Sequence, residues 1–308
     1  MQGILTGFAI IGVVIAVGYV AARLRLGGPD ARTALNRIGF FVASPALLFT
    51  VIADADIGEL FQAPLLVQAL AAVAMAAAFV VVNLLWLRRP GTEATIGAVS
   101  AGYVNANNIG LPVAVYVLGD PAAVVPVILL QLLILAPVTL LVLDAQTTGR
   151  VSVRFVLAQP VRNPIILGSL AGAVVSVTGW HVPAPVLAPL EILGGAAVPM
   201  ILLAFGMSLH GSRPFQQPGG RTSVVVASAL KAVVMPALAF VLARYAFGLD
   251  DAQVATAVTL AALPVAQNVY NYAARFRTGE LLARDTILVT TVASPVVLLV
   301  ATLLLHTG

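Results

Sequence analysis

Residues 101–112 read A-G-Y-V-N-A-N-N-I-G-L-P and place three asparagines, two glycines and a proline inside an apolar run. An asparagine amide that is buried without a partner costs about 1–3 kcal/mol, so these side chains must face a partner, water or a ligand. Pro112 has no N–H group to donate, and Gly110 permits backbone angles that other residues avoid. The stretch therefore predicts a membrane helix that is interrupted at Gly110 and Pro112, with backbone groups that line a cavity or are buried in protein.

The composition around this stretch is that of a protein embedded in a bilayer. Hydrophobic residues make up 60% of the 308 and charged residues only 9%, with a mean hydropathy of +1.04, far from the balance of a soluble domain. The absence of cysteine excludes disulfides, thiolate metal sites and a cysteine nucleophile. Neither H-E-x-x-H nor G-x-S-x-G occurs, and the three histidines lie in or near loops. We therefore predict that the chain is not an enzyme and has no resident cofactor or metal.

Ten apolar spans are found when about 20 apolar residues are required for each crossing of the membrane. The first span has no basic start and no small-residue cleavage site before Arg23, so we interpret it as a retained span and not as a signal peptide. The connections are short and leave no room for a separate soluble domain. The predicted spans are 4–23, 35–52, 63–87, 94–118, 122–143, 161–179, 186–209, 223–246, 252–274 and 285–305.

Arginine is distributed unevenly between the two sets of loops. Of the fifteen, only Arg244 follows an even-numbered span. Because positive residues near span ends are retained on the cytoplasmic side, we expect the odd-numbered loops in the cytoplasm and both termini outside. This distribution accounts for the net charge of +4 without a nucleic-acid partner. The other fourteen are Arg23, Arg25, Arg32, Arg37, Arg88, Arg89, Arg150, Arg154, Arg162, Arg213, Arg221, Arg275, Arg277 and Arg284.

An internal repeat follows from shifting the chain by about 160 residues. The shift lays Asn108 on Asn268 and Gly119-Asp120 on Gly279-Glu280. Each half then holds five spans, and because five is odd the second half must be inverted relative to the first, as in many secondary transporters. We predict an all-α membrane protein of ten transmembrane helices in two inverted five-helix repeats, residues 1–148 and 149–308, with broken and crossing helices in spans 4 and 9.

A second polar interruption, A-L-P-V-A-Q-N-V-Y-N-Y-A, occupies residues 262–273 in span 9. Asn268 and Asn271 are three residues apart, as are Asn105 and Asn108, so each pair would lie on one helical face. If spans 4 and 9 cross, these amides converge beside half-helix N-termini whose partial positive charge suits a carboxylate. The alternative is that these asparagines serve only to form hydrogen bonds between helices. The predicted helix-break residues are Gly110, Pro112 and Pro264, and the predicted substrate-binding asparagines are Asn105, Asn107, Asn108, Asn268 and Asn271.

Lys231 lies about eight residues inside span 8 and is the only lysine of the chain. Burying its charge in a membrane costs about 2.5–3.5 kcal/mol even on the lenient insertion scale, so a role in ion or charge coupling is the first hypothesis. It could balance an anionic substrate, replace a coupling cation or titrate. The alternative is that its long side chain reaches the cytoplasmic surface.

The motifs N-A-N-N-I-G-L-P in span 4 and A-L-P-V-A-Q-N-V-Y-N-Y-A in span 9, with A-S-P-A-L-L-F in span 2 and V-P-M-I-L-L-A-F-G-M in span 7, resemble those of a bacterial member of the auxin efflux carrier family. That family is similar in architecture to the bile-acid sodium symporters. The resemblance covers essentially the whole chain but includes no long central cytoplasmic loop. It implies a scaffold part and a transport part, each drawn from both repeats, with substrate bound where spans 4 and 9 cross.

The same resemblance implies a substrate and a location. Family members move organic anions, auxin in plants and malonate- or malate-like acids in bacteria, so we expect a small carboxylate and the bacterial cytoplasmic (inner) membrane. It places Ser44 beside the substrate, and Gln267 and Tyr270 are similar candidates. Plant members carry prolines where this chain has Val104 and Val269, which weakens any transfer of the plant substrate.

Several alternatives stay open at the level of sequence. Coupling to Na⁺, coupling to H⁺ and facilitated diffusion leave no distinctive motif, and the direction of transport is equally open. Gly168-x3-Gly172 in span 6 allows close helix packing and could mark a scaffold face or a homodimer face. A cation/proton antiporter is disfavoured because the interruptions lack carboxylates, and a non-transporting sensor on the same scaffold would carry the same site.

Overall fold

The computed structural model describes residues 2–55, 63–148, 163–211, 215 and 220–306. Within these ranges the regular secondary structure is helical, and the one exception is an isolated antiparallel bridge between Val104 and Val265. The predicted junction between repeats, after residue 148, borders residues outside the described ranges. Four of the arginines used for the topology lie outside the described ranges: Arg150, Arg154, Arg162 and Arg213.

The α-helices, numbered in chain order, are α1 Gln2–Arg23, α2 Ala31–Ile38, α3 Ser44–Ala53, α4 Ala63–Val82, α5 Gly91–Gly102, α6 Leu111–Val113, α7 Val125–Leu130, α8 Ala136–Thr148, α9 Pro164–Thr178, α10 Ala184–Gly195, α11 Ala197–Leu209, α12 Arg221–Ala229, α13 Met235–Val241, α14 Asp251–Ala261, α15 Asn268–Phe276 and α16 Glu280–His306. Wider π-helical turns continue or join them at Gly39–Ala43, Asn83–Leu87, Ala106–Gly110, Ala114–Leu118, Gln131–Leu135, Leu230–Val234 and Leu242–Ala246, and a 3₁₀ turn spans Pro121–Val124.

Six continuous helical stretches of the described chain are long and apolar enough to cross a membrane. Large apolar side chains on them, such as Trp86 and Val233, are exposed, as expected where a helix faces lipid. These findings confirm a multi-pass, all-α membrane protein, whereas the count of ten spans and their inverted arrangement stay predictions. The six stretches are Ala31–Ala53, Ala63–Leu87, Pro121–Thr147, Ala184–Leu209, Arg221–Ala246 and Glu280–Ala301, and shorter apolar helices cover Ala9–Arg23, Ala106–Leu118 and Pro164–Thr178.

The chain divides into two compact units, and each draws on segments from both sides of residue 148. The first unit consists of Met1–Gln62, Asn107–Leu129 and Ala158–Ser212. The second consists of Ala63–Ala106, Leu130–Leu157 and Arg213–Gly308. The division into two repeats is a different partition of the chain and stays a prediction.

In the first unit, glycines bring helices into backbone contact around α3. A Cβ atom at Gly168 would lie 2.5 Å from the carbonyl oxygen of Pro45, and one at Gly172 would lie 2.6 Å from that of Phe49. Both glycines of the Gly168-x3-Gly172 motif therefore face α3 within the unit. This contact accounts for the motif by packing inside one chain, so the motif gives no support to a homodimer face.

In the second unit, glycines seat α5 against α4. A Cβ atom at Gly97 would collide with the ring of Phe79, which is fully buried, and one at Gly102 would collide with the carbonyl oxygen of Ala72. Only glycine allows this close approach, since an added methyl group would push the two helices apart. Gly102, the last residue of α5, therefore packs directly against the backbone of Ala72.

Candidate functional site

The first interruption lies at the end of α5. The helix ends at Gly102, Tyr103 is extended with φ −89° and ψ 125°, and helical structure resumes at Ala106. Tyr103, Val104 and Asn105 are all buried. Their backbone groups therefore need partners outside a helix, since an unpaired group at this depth is costly.

The second interruption lies between α14 and α15. Helix α14 ends at Ala261 and α15 begins at Asn268, with six residues between them that are not helical. Pro264 stands inside this segment and lacks the N–H group that a continuing helix would need. Residues 262–266 are buried, so their backbone groups face the same need for partners.

The two interruptions cross, and their backbone groups form a hydrogen bond with each other. Val104 and Val265 form an antiparallel bridge, and the backbone N–H of Asn105 donates to the carbonyl of Pro264 at 2.8 Å. Both valines are completely buried. We call residues 103–105 with 262–267 the crossing. Its backbone pairing is that of a minimal two-stranded sheet in an otherwise helical unit.

Side chains from two other segments complete the crossing. The Gln131 amide nitrogen Nε2 donates to the carbonyl of Val104 at 2.9 Å, and the Tyr103 hydroxyl donates to the backbone carbonyl of Gln131 at 2.9 Å. The backbone N–H of Val265 donates to the Thr290 hydroxyl at 3.1 Å. Tyr103 also packs edge-on against Tyr272, with ring centroids 6.3 Å apart. These contacts surround the crossing with hydrogen-bonded and aromatic partners.

Lys231 lies in the π-helical turn Leu230–Val234 and has no exposed surface. Its ammonium Nζ donates to the carbonyl of Ala261 at 2.6 Å, and Ala261 is the last residue of α14. The last carbonyls of a helix carry partial negative charge and lack partners within the helix. The ammonium therefore caps the end of α14 just before the crossing, and the alternative in which Lys231 reaches the surface is wrong.

The predicted binding residues occupy different environments. Asn105 is buried at the crossing, and Asn268 is the half-buried first residue of α15. Gln267 and Tyr270 are half-buried beside it, whereas Asn271 is exposed. In the first unit, Asn107 and Asn108 are half-buried and the Asn107 amide Nδ2 donates to Asn108 Oδ1 at 2.9 Å. Ser44, also in the first unit, is fully buried and its hydroxyl has no partner within the described chain.

The position predicted for the first interruption is wrong by several residues. Gly110 and Pro112 lie within helical residues 106–118, and Gly110 has an ordinary helical φ of −63°. The proline fits because its fixed φ is helical and the three α-helical residues Leu111–Val113 lie between two wider π-helical turns, which locally rearrange the hydrogen-bond ladder. The interruption instead follows Gly102. Pro264, by contrast, stands inside the second interruption.

Gln131 and Thr290 were missed by reasoning from the sequence. Each is an uncharged polar residue in a largely apolar span, where such residues usually form hydrogen bonds between helices, and Thr290 stands among Thr286, Thr291 and Ser294. The signal that could have found them is their spacing of about 160 residues, close to the spacing of the two interruptions. Their partners, however, are backbone groups of the crossing, which no side-chain pattern reveals.

Comparisons with known proteins match the chain to transport proteins. A family model described as "Membrane transport protein" matches residues 4–302. A protein of Rhizobium meliloti (strain 1021) named "Putative malonate transporter" is 28% identical over 288 residues, which cover 91% of this chain and 89% of that protein. An "Uncharacterized transporter" of Methanothermobacter thermautotrophicus is 27% identical over 205 residues, 64% of this chain and 65% of its own length.

The fold defines a helical, multi-pass membrane protein, and its matches are to transport proteins. The chain belongs to the membrane transport protein family, because the family model covers nearly all of it. This finding confirms the resemblance to the auxin efflux carriers drawn from the motifs of spans 2, 4, 7 and 9. Membership of this family also implies a small-molecule substrate and a membrane location.

Proposed function

We propose that the chain is a secondary-active or facilitative transporter of a small organic anion, a carboxylate of the malonate type, with alternating access around the crossing. The observation that carries the proposal is the pairing of two interrupted segments in the second unit, where Asn105 donates its N–H to Pro264. Membranes tolerate non-helical backbone only where it is buried in protein or lines a cavity, and transporters place substrate at such breaks. The name of the Rhizobium meliloti relative supports malonate as the first substrate to try.

The charges around the crossing favour an anion. Helix α15 begins at Asn268, so the positive end of its dipole faces the second interruption. At the other end of that interruption, the Lys231 ammonium offsets the negative end of α14. Residues 101–112 and 262–273 contain no carboxylate. A carboxylate would therefore meet the positive end of α15 and the Lys231 ammonium, whereas a cation would meet no carboxylate in either segment.

The remaining parts of the proposal extend outward from the crossing. Asn105 and Asn268 are proposed as the central substrate-binding residues. Lys231 is proposed as the charge-coupling residue, whose positive charge balances the bound anion. Ten spans in two inverted repeats, an inner-membrane location and external termini complete the proposal. Pro264 is proposed to shape the backbone of the second interruption. The further candidates for substrate contact are Gln267, Tyr270 and Asn271 in the second unit, and the sequence adds Ser44, Asn107 and Asn108 of the first unit.

Uptake of radiolabelled malonate into proteoliposomes tests the site. We expect Asn105→Ala and Asn268→Ala each to abolish uptake while leaving the yield of folded protein intact, because each removes an amide that the substrate needs. The wild-type protein should take up more than one malonate per protein molecule, whereas a sensor would bind one at most. Wild-type uptake by both variants would refute the crossing as the substrate site.

A thermal-shift screen of purified protein identifies the substrate and the coupling ion. Mono- and dicarboxylates would be compared with and without sodium and at two pH values. A ligand that binds only the folded state raises the melting temperature, so the true substrate should produce a shift that Asn105→Ala lacks. A shift that requires sodium would assign sodium coupling, and the absence of any carboxylate-dependent shift would contradict the substrate class.

A further inference from the structure

The backbone bridge at the crossing leaves two groups that bond to side chains instead of to the opposite segment. The carbonyl of Val104 accepts from Gln131, and the N–H of Val265 donates to Thr290. Gln131 is 6% exposed and Thr290 is 1% exposed, so water does not compete with either bond. Each segment of the crossing is therefore tied to a second element by one buried side chain.

Gln131 and Thr290 each make a second hydrogen bond beside the one to the crossing backbone. The Gln131 amide reaches Val104, and the backbone carbonyl of Gln131 accepts the hydroxyl proton of Tyr103, so both residues of that edge are held. The Thr290 hydroxyl accepts from Val265 and donates its own proton to the carbonyl of Thr286 at 2.7 Å. A valine would match the shape of Thr290 but could make neither bond.

The two ties also occupy matching places in the chain. Gln131 and Thr290 are about 160 residues apart, and so are Val104 and Val265. Gln131 lies in Pro121–Thr147, the first long apolar stretch after the first interruption. Thr290 lies in Glu280–Ala301, the first long apolar stretch after the second interruption. Each segment of the crossing thus has one buried polar side chain bonded to its backbone, at a similar position in its half of the chain.

We infer that Gln131 and Thr290 are positioning residues for substrate binding, which fix the register of Val104 against Val265 and thereby the placement of Asn105 and Asn268. This inference rests on the proposed function. Without either tie the free protein would sample other positions of its segment, and the substrate would have to restore the competent one. The apparent affinity falls by the fraction of molecules that lose that position, while turnover of the loaded protein is preserved.

The test compares matched pairs of variants in malonate uptake by proteoliposomes. Thr290→Val is paired with Thr286→Val, since Thr286 is equally buried in the same helix but its hydroxyl bonds within the helix to Leu282. Gln131→Met is paired with Gln68→Met, since Gln68 is buried in the same unit and its Oε1 has no partner within the described chain. Thr290→Ser keeps the hydroxyl and serves as the rescue.

We expect Thr290→Val and Gln131→Met each to raise KM about tenfold with little change in maximal rate, which corresponds to roughly 1.4 kcal/mol of lost binding. Both control variants and Thr290→Ser should keep the wild-type KM. A purely structural role would lower the melting temperature and leave KM unchanged, and that result would overturn the inference. If Thr290→Val gives no folded protein, the glutamine pair and Thr290→Ser decide the question by the same KM comparison.

Failure of this inference and failure of the proposed function give different results. If Asn105→Ala and Asn268→Ala abolish uptake but the positioning variants keep the KM of their controls, the positioning role alone is lost. If the two alanine variants keep wild-type uptake, the crossing is not the substrate site. The proposed function then fails, and the positioning role fails with it, whatever the KM of the positioning variants.

Discussion

Lys231 shows how one buried charge can serve an interrupted helix. Its ammonium is the partner of the Ala261 carbonyl, which ends α14 without a following helical turn. A buried charge is expensive, and a neutral donor would cap the same carbonyl at lower cost. The charge itself is therefore expected to matter, because it gives the crossing a positive potential that an anionic substrate can use.

We expect Lys231→Met to raise KM for malonate by about tenfold or more, since the variant loses both the charge and the cap. Lys231→Gln provides the control, because its amide can donate to a carbonyl without carrying charge. It should recover part of the melting temperature but not the KM. Uptake kinetics and thermal unfolding in detergent measure the two effects, and a Lys231→Met protein with wild-type KM would contradict a role for the charge.

The sequence allowed some of these residues to be predicted and hid others. The depth of Lys231 in an apolar span pointed to a function, and the asparagines marked both interruptions. Gln131 and Thr290 escaped because their partners are the backbone groups of Val104 and Val265, which become available only when two distant segments cross. Contacts of this kind depend on tertiary structure and leave only a faint trace in spacing.

At the scale of elements, the ends of α5 and α14 depend on different causes. The interruption after α14 contains Pro264, and a missing N–H group is visible in the sequence. The interruption after α5 contains no proline and follows a glycine seated on Ala72. Because proline is the visible signal, the sequence predicted a break at Pro112, but π-helical turns on both sides let the helix continue there. Proline predicts a break only where neighbouring turns cannot adjust.

Replacement of Gly102 by alanine should disturb the packing of α5 against α4. The new methyl group would collide with the Ala72 carbonyl, and overpacking of this kind costs about 1–3 kcal/mol. Gly12→Ala is the matched control, because a Cβ atom there has open space and alanine favours a helix over glycine. We expect a lower melting temperature for Gly102→Ala alone. Equal melting temperatures for the two variants would show that the contact with Ala72 is not restrictive.

At the scale of the whole molecule, the distribution of arginine predicts the orientation in the membrane. Positive residues on the odd-numbered loops are expected to keep those loops in the cytoplasm, and because there are fourteen of them, we expect no single substitution to reverse the orientation. Six of the predicted spans coincide with helices that are long and apolar enough to cross a membrane, because apolar length is a strong signal, and the count of ten stays a prediction. The division into two compact units was not readable, since it depends on contacts between distant segments.

Cysteine labelling can test the orientation directly, because the natural chain contains no cysteine. Arg32→Cys and Asp54→Cys place single thiols at exposed positions that follow the first and second predicted spans. In intact cells, a membrane-impermeant maleimide should label Asp54→Cys, and Arg32→Cys should react only after the membrane is opened. The reverse pattern would place both termini in the cytoplasm.

Counterflow in proteoliposomes tests the central claim most directly, because it requires a site that faces each side of the membrane in turn. Vesicles are loaded with unlabelled malonate and diluted into trace labelled malonate. The wild-type protein should accumulate label transiently above the equilibrium level, and Asn105→Ala should not. If the wild-type protein shows no such overshoot with malonate or with any other mono- or dicarboxylate, transport of an organic anion by alternating access at the crossing is contradicted.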